Sequence, residues 1–298
     1  MNDQGGASGS GGTTRGGIRE RLFVWLQYLL PQHGLSRLVL AATRVRTAWF
    51  KNWTIRGFLE LYRVDMTEAA EGDPYRYGNF NEFFTRALKP GVRPIASDPA
   101  AVASPVDGCI SEAGTIDRDR LFQAKGRDYR LTELLAAQPW ASRFEGGSYA
   151  AIYLAPFNYH RVHMPLRGVL KETVYVPGRL FSVNAVTAQH VPRLFARNER
   201  VLTLFDSDAM GEFALVLVGA LNVGSMATVW AGDITPAARR VVTRIPGPPT
   251  SLEKGAELGR FNMGSTVILL FEPNRVRWHG EVHAGSVVRL GQPLGVIS

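Results

Sequence analysis

Gly259-Arg260-Phe261-Asn262-Met263-Gly264-Ser265-Thr266 runs directly into Val267-Ile268-Leu269-Leu270-Phe271. The second stretch is uncharged and rich in β-branched and aromatic residues, which predicts a buried strand. Gly264 has no Cβ, so its carbonyl can be approached closely and its backbone strained at low cost. A serine hydroxyl beside such a peptide bond has two fates: it sits idle in a turn, or it attacks the carbonyl before it. Taken alone, Gly-Ser-Thr is far more often a turn.

Similar short strands lead up to this one. Val102–Ser104, Cys109–Ile110, Tyr149–Leu154, Gly168–Val176, Val201–Phe205, Phe213–Val218 and Met226–Trp230 alternate with turn signals, and Leu131–Ala137 is one helical insertion. Phe213–Gly232 carries no charge and is long enough to imitate a membrane span. Its glycines and polar residues predict instead two buried strands around a turn at Val218–Gly224. The tail, Glu281–Ile297, has the texture of the small β units of lipoyl and biotinyl carrier domains, without a lysine in the turn to modify. The fold expected is α+β: a mostly antiparallel β-sheet core with carrier-domain-like units, preceded by amphipathic N-terminal helices.

The chain has 298 residues, 45% of them hydrophobic, enough for one large core or two modest ones. Its 34 basic and 26 acidic residues leave a net charge of +8, which suits nucleic acid or an anionic membrane surface. Cys109 is the only cysteine, so no intrachain disulfide can form and a reducing compartment is the economical reading. Residues 1–17 are Gly-rich, show no signal peptide and read as a disordered tail.

From Ile18 to Tyr62 the pattern is helical and basic. Leu22, Trp25, Leu26, Leu29 and Leu30 recur at helical spacing; Pro31 and Gly34 interrupt; Leu35–Phe50 and Ile55–Tyr62 follow with arginines interleaved. A hairpin packed on the domain would give this pattern. So would interfacial helices, and tryptophan with arginine but few acids favours the membrane. Nucleic acid is not expected, since no binding motif accompanies the charge. A short helix near Phe80–Leu88, capped by Asn81 and ended by Lys89-Pro90-Gly91, joins this region to the strands.

Three places carry reactive side chains. Asp107, in Ser104-Pro105-Val106-Asp107-Gly108, is an Asx-turn residue or a carboxylate that orients an imidazole. His160 and His163 stand three apart between Pro156 and Pro165. That spacing suits two metal ligands on a helical turn, but further ligands are wanting and no metal is expected. Either histidine is a competent general base near neutrality. With Ser265 they could form an Asp107–His163–Ser265 relay, or three unconnected residues.

Taken in order, these stretches resemble bacterial phosphatidylserine decarboxylases. Phe80–Arg86, Ser104–Gly108, Tyr159–Pro165, Tyr175–Gly178, Phe181–Asn184, Leu194–Val201 and Lys254–Thr266 carry the likeness, which extends from about Ile18 to the C-terminus. Residues 1–17 have no counterpart in the family pattern. Met263 replaces the usual leucine, a volume-conserving change.

The resemblance implies a self-processing precursor. Ser265 attacks the Gly264 carbonyl to give an ester; β-elimination then frees a β chain, 1–264. The α chain, 265–298, is left with a covalent pyruvoyl group made from Ser265. Asp107 and His163 would drive that step, and His160 would support decarboxylation and reprotonation. The pyruvoyl group would condense with the amine of phosphatidylserine and accept electrons as carbon dioxide leaves. The implied layout is a helical membrane-associating region at 18–70 and a catalytic domain at 71–298. The partners implied are the lipid, an anionic membrane surface and the β/α pair, with further dimerisation left open. The location implied is peripheral, on the cytoplasmic face of the inner membrane. Two other readings compete: a serine hydrolase using Asp107, His163 and Ser265 on external substrates, which lacks a Gly-x-Ser-x-Gly elbow, and a non-catalytic membrane-binding module, which leaves the paired histidines unexplained.

Overall fold

Three N-terminal helices, α1 (Thr14–Leu29), α2 (Gln32–Thr43) and α3 (Ala48–Leu61), precede the sheets in the computed structural model. It describes residues 14–124, 127–221, 225–235, 241–262 and 265–298. Thr14–Gly17, expected in the tail, already belong to α1, and the rest of that tail lies outside the described residues. Pro31 separates α1 from α2, because the residue before a proline is pushed out of helical geometry. The second break falls at 44–47, earlier than the apolar spacing implied.

α1 and α2 are built inside out. Gln27 and Gln32 are buried: Gln27 Oε1 accepts from Ser182 N (2.8 Å), Gln32 Oε1 accepts from Leu180 N (2.9 Å), and Gln32 Nε2 donates to Gln27 O (2.7 Å). Leu22, Trp25, Leu26, Leu29 and Leu38 face outward. A helix in water buries its apolar side, so this orientation marks a surface meant for a less polar neighbour. α3 exposes Trp49, Trp53 and Leu61 while burying Ile55 and Lys51, whose Nζ donates to the Tyr75 and Tyr77 carbonyls.

α4 (Phe80–Phe84) fastens α3 to the body. Its N-cap is Asn79, not Asn81: Asn79 Oδ1 accepts from Glu82 N (2.8 Å), and Glu82 Oε2 accepts from Gly78 N (2.9 Å). The helix stops at Phe84, shorter than expected. Phe80, Phe83 and Phe84 ring Phe58 of α3, at centroid distances of 5.3, 6.0 and 5.8 Å.

The strands follow in chain order. β1 is Ala101–Ala103, β2 Gly108–Thr115, β3 Arg120–Ala124, β4 Arg127–Arg130, β5 Ser148–Leu154 and β6 Arg161–His163. β7 is Gly168–Val176, β8 Arg200–Ser207, β9 Gly211–Val218, β10 Met226–Thr228, β11 Gly232–Asp233 and β12 Thr243–Arg244. β13 is Ser251–Leu252, β14 Glu257–Phe261, β15 Ser265–Phe271, β16 Val276–Trp278, β17 Val287–Val288 and β18 Pro293–Ile297. Among the described residues the largest sheet runs β12-β7-β8-β9-β15-β5-β2-β17, with β13 also beside β7. β11-β10-β14-β6 form a second sheet and β1-β18-β16 a third. The pairings within these sheets are antiparallel.

β15 is the axis of this core. Every residue in it is buried, with β5 and β9 paired antiparallel on its two edges, which is why its sequence reads as a continuous apolar run. The strand starts at Ser265, two residues before the apolar run, so the serine belongs to the ladder rather than to a turn. Ser265 pairs with Leu154. β9 and β10, expected to flank one turn, lie in different sheets, and Asn222–Gly224 of that turn fall outside the described residues.

Candidate active site

Two connectors join the large sheet to the second one. Residues 155–160 lead from β5 to β6, and residues 262–264 lead from β14 to β15; β5 pairs with β15 and β6 with β14. At the second-sheet end Phe261 N donates to His160 O at 3.0 Å, and at the large-sheet end Ser265 pairs with Leu154. Met263 and Gly264 lie outside the described residues, and with them the carbonyl that Ser265 is expected to attack.

His160 is fully buried, its ring 4.1 Å from that of Phe84. Its Nδ1 lies 2.8 Å from the Asn158 carbonyl. A carbonyl only accepts, so Nδ1 carries the proton and Nε2 the lone pair. Burial, opposed in part by that hydrogen bond, pushes the imidazole pKa down to about 3. Three buried polar atoms in this part of the fold have no partner: His160 Nε2, Ser265 Oγ and, on the opposite face of β15 from Ser265, Thr266 Oγ1. Orphaned buried groups are costly in a folded protein, and they mark a place built for something other than stability.

His163, on β6, is differently engaged. Nδ1–H donates to Gly255 O at 2.8 Å, so Nε2 accepts from the Tyr159 hydroxyl at 3.1 Å. Gly255 has φ +82, a left-handed conformation that glycine adopts freely and that aims this carbonyl at the ring. Burial lowers the His163 pKa and raises that of Tyr159 to about 12. Asp107 is close in the chain fold, since His163 N donates to Pro105 O at 2.8 Å, but its carboxylate turns elsewhere. Oδ1 accepts from Leu290 N (2.8 Å) and Arg93 Nε (2.9 Å), and Oδ2 from Arg93 Nη2 (2.7 Å). Arg93 also holds Glu68 at 2.6 Å. Gly108 follows because a Cβ there would sit 2.5 Å from Tyr153 O in the β2–β5 ladder.

The hydrogen-bonded relay expected from sequence is thus not assembled in this state. Both His163 nitrogens have other partners, and Asp107 is clamped by an arginine. A histidine ring oriented by a backbone carbonyl makes a carboxylate partner unnecessary for its tautomer. Sequence reading missed Arg93, Gly255 and the role of Tyr159. The phenol stood beside both histidines and was a usable signal; Arg93 carried none. Arg197 and Asn198, within the Leu194–Val201 stretch of the likeness, are engaged elsewhere: Asn198 is buried and spends its amide on the backbone of Phe181 and Gly219, and Arg197 packs on Tyr28 and Phe181. Among the described residues no group of three or more His, Cys, Asp or Glu is placed to hold a metal ion.

A cavity of about 210 Å3 is lined by Phe58, Tyr62, Pro156 and Val183 together with Phe84, which packs on His160, and Leu154, which pairs with Ser265. Phe58 also lines a larger apolar groove, about 680 Å3, between α2 and α3, with Val39, Trp53 and Leu61. One aromatic ring therefore borders both the outer groove and the buried space beside His160.

The profile of the family described as phosphatidylserine decarboxylase matches residues 80–296, and a second, described as PSD, matches residues 22–63. Phosphatidylserine decarboxylase proenzyme of Pseudomonas fluorescens is 54% identical over 284 residues, covering 94% of this chain and 98% of its own. That of Methylococcus capsulatus is 52% identical over 278 residues, covering 92% and 96%. That of Ectopseudomonas mendocina is 54% identical over 283 residues, covering 93% and 99%. With likeness of this extent over nearly the whole length, the chain belongs to the phosphatidylserine decarboxylase family.

Proposed function

We propose that this chain converts phosphatidylserine to phosphatidylethanolamine and carbon dioxide, after severing itself at the Gly264–Ser265 bond into a β chain, 1–264, and an α chain, 265–298. The observation that carries the reading is the buried, unpartnered hydroxyl of Ser265, the first residue of β15; its partner strand β5 runs on into the connector that ends at His160, whose Nε2 is likewise unpartnered. A pyruvoyl group made from Ser265 fits that position, because making it removes the buried hydroxyl that has no partner and leaves the His160 Nε2 lone pair free to take a proton. When present, such a group supplies the electron sink that amino-acid decarboxylation needs.

For self-cleavage, Ser265 must lose its hydroxyl proton as Oγ bonds to the Gly264 carbonyl carbon. His163 Nε2 is the base once the Tyr159 hydroxyl swings off it, and Asp107 supports the resulting cation from its place beside Pro105. The bond to the Ser265 nitrogen then breaks and that nitrogen takes the proton, leaving an ester; loss of the Ser265 α-proton with breakage of the Cβ–Oγ bond frees the Gly264 carboxylate, and water then displaces the nitrogen of the resulting dehydroalanine as ammonia. In turnover His160 has a separate task. Its Nε2 lone pair accepts a proton from the substrate ammonium, which loses its charge readily where water is excluded, and returns it to the substrate α-carbon after carbon dioxide departs.

The outward leucines and tryptophans of α1–α3 support residues 18–70 as the membrane-docking part and 71–298 as the catalytic part. Among the described residues no helix is long and apolar enough to cross a membrane. Docking on the cytoplasmic face of the inner membrane, through apolar side chains and arginines on anionic lipid, accords with this.

The test is Ser265→Ala. Intact mass should show one uncut chain of 32.8 kDa that releases no carbon dioxide from phosphatidylserine. Wild type should show two chains, the smaller blocked to amine reagents. Carbon dioxide release by the uncut variant would overturn the proposal.

A further inference from the structure

The 155–160 connector also walls a second, polar cavity of about 200 Å3, where Asn158 and Tyr159 meet Arg63, Arg86, Arg93 and Asp107. The acids here are hydrogen-bonded elsewhere: Arg93 binds both Asp107 and Glu68, and Asp65 accepts from Thr67 N and its hydroxyl. Arg86 differs. It is only 4% exposed, and among the described residues no carboxylate pairs with it. Nη2 reaches the Phe157 carbonyl only at 3.5 Å, and Nε and Nη1 are buried with no partner. The nearest ring, Phe83, is 5.8 Å from the guanidinium. Arg63, exposed at the rim, also lacks an ion pair among the described residues. The charges lining the cavity offset one another, but buried N–H donors without acceptors are costly, so a fold that keeps two of them on one guanidinium against a cavity leaves room for an acceptor oxygen from outside.

We propose that this cavity holds the phosphodiester of the lipid headgroup, with Arg86 as its buried counter-charge and Arg63 at the entrance. The inference rests on the decarboxylase reading for its choice of ligand. That substrate offers two anions, and the reaction chooses between them. An arginine on the carboxylate would stabilise the charge that must disappear, raising the barrier. The phosphate keeps its charge throughout, so holding it gives affinity without opposing the chemistry. The cavity lies next to the candidate centre: Asn158 and Tyr159, just before His160, line it, and Arg86 follows Phe84, whose ring is 4.1 Å from that of His160.

The cleaved enzyme tests this in neutral detergent micelles, where bulk attraction to anionic lipid is absent. Arg86→Gln, Arg86→Lys and Arg63→Gln are compared, each first shown by intact mass to have matured. Arg86→Gln should raise KM for short-chain phosphatidylserine roughly ten- to a hundredfold with kcat little changed, as loss of a charge-assisted contact made equally in ground and transition states requires. Lysine should recover part of the loss, and Arg63→Gln should shift KM in the same direction by less. Independently of activity, 31P line broadening should report glycerophosphoethanolamine binding to wild type, and Arg86→Gln should abolish it. Should Arg86→Gln fail to mature, the same titration on Ser265→Ala with and without Arg86→Gln, and the KM of Arg63→Gln, decide the matter. Unchanged KM and unchanged line broadening would overturn the proposal, as would binding of inorganic phosphate with none of the phosphodiester. Wild type that releases no carbon dioxide would instead sink the decarboxylase reading, while the titration still reports on the cavity.

Discussion

His160 is neutral in the folded chain over most of the pH scale, because burial holds its pKa near 3 against 6.5 for a free imidazole. The sign follows directly. Above pH 6.5 neither state carries the proton; between 6.5 and about 3 only the unfolded chain binds it, so stability falls as pH falls. The slope from this one group is on the order of 1 kcal/mol per pH unit. Urea unfolding of the uncleavable Ser265→Ala chain, measured from pH 7 to 4, should show it, and adding His160→Gln should make the acid limb shallower. An equally steep limb would mean that the ring is not buried as a neutral base. Sequence alone supplied His160, His163 and Ser265 as candidates, because residue type limits chemistry. It could not supply their protonation, which depends on Asn158 and Gly255 carbonyls delivered by turns. Nor could it see that Asp107 would be held by Arg93, since nothing local links a residue in Val92-Arg93-Pro94 to a carboxylate across a turn.

At the scale of elements, the helices that bury glutamine and expose tryptophan are the clearest departure from ordinary packing. Periodicity announced α1–α3 but not which way they faced. An apolar stripe reads identically whether it meets a core or a bilayer, and Gln27 and Gln32 reveal the choice only through Ser182 and Leu180 far along the chain. Trp49 and Trp53, 73% and 68% exposed, are predicted to enter the lipid boundary. Replacing both with serine should weaken co-sedimentation with anionic vesicles severalfold and leave self-cleavage intact, since neither touches β15 or its neighbours. Undiminished vesicle binding would place the membrane contact elsewhere. β15 was legible for the opposite reason: a strand covered on both faces must be apolar throughout, and its sequence says so. Its start at Ser265 was not, because serine and threonine adjoining glycine look like turn chemistry until Leu154 is found opposite.

For the whole molecule, self-cleavage would cut the connector of a finished core. The α chain contributes β15 between β5 and β9, β17 on β2, and β18 between β1 and β16. Severing one peptide bond at the head of β15 removes none of these ladders, so the two chains should stay together without a covalent link. Cys109, the single cysteine, cannot supply an intrachain bridge. The consequence lies in refolding. The uncut chain folds as one molecule, whereas the cut pair must find each other, with the most buried strand belonging to the smaller partner. Native mass spectrometry of the mature enzyme should give one complex, and denaturing conditions two chains, with or without reductant. After unfolding in urea and dilution, Ser265→Ala should regain its native circular dichroism independently of protein concentration. The mature pair should regain little, and less as it is diluted. Complete concentration-independent recovery of the cut enzyme would show that β15 is not the organising strand of the fold.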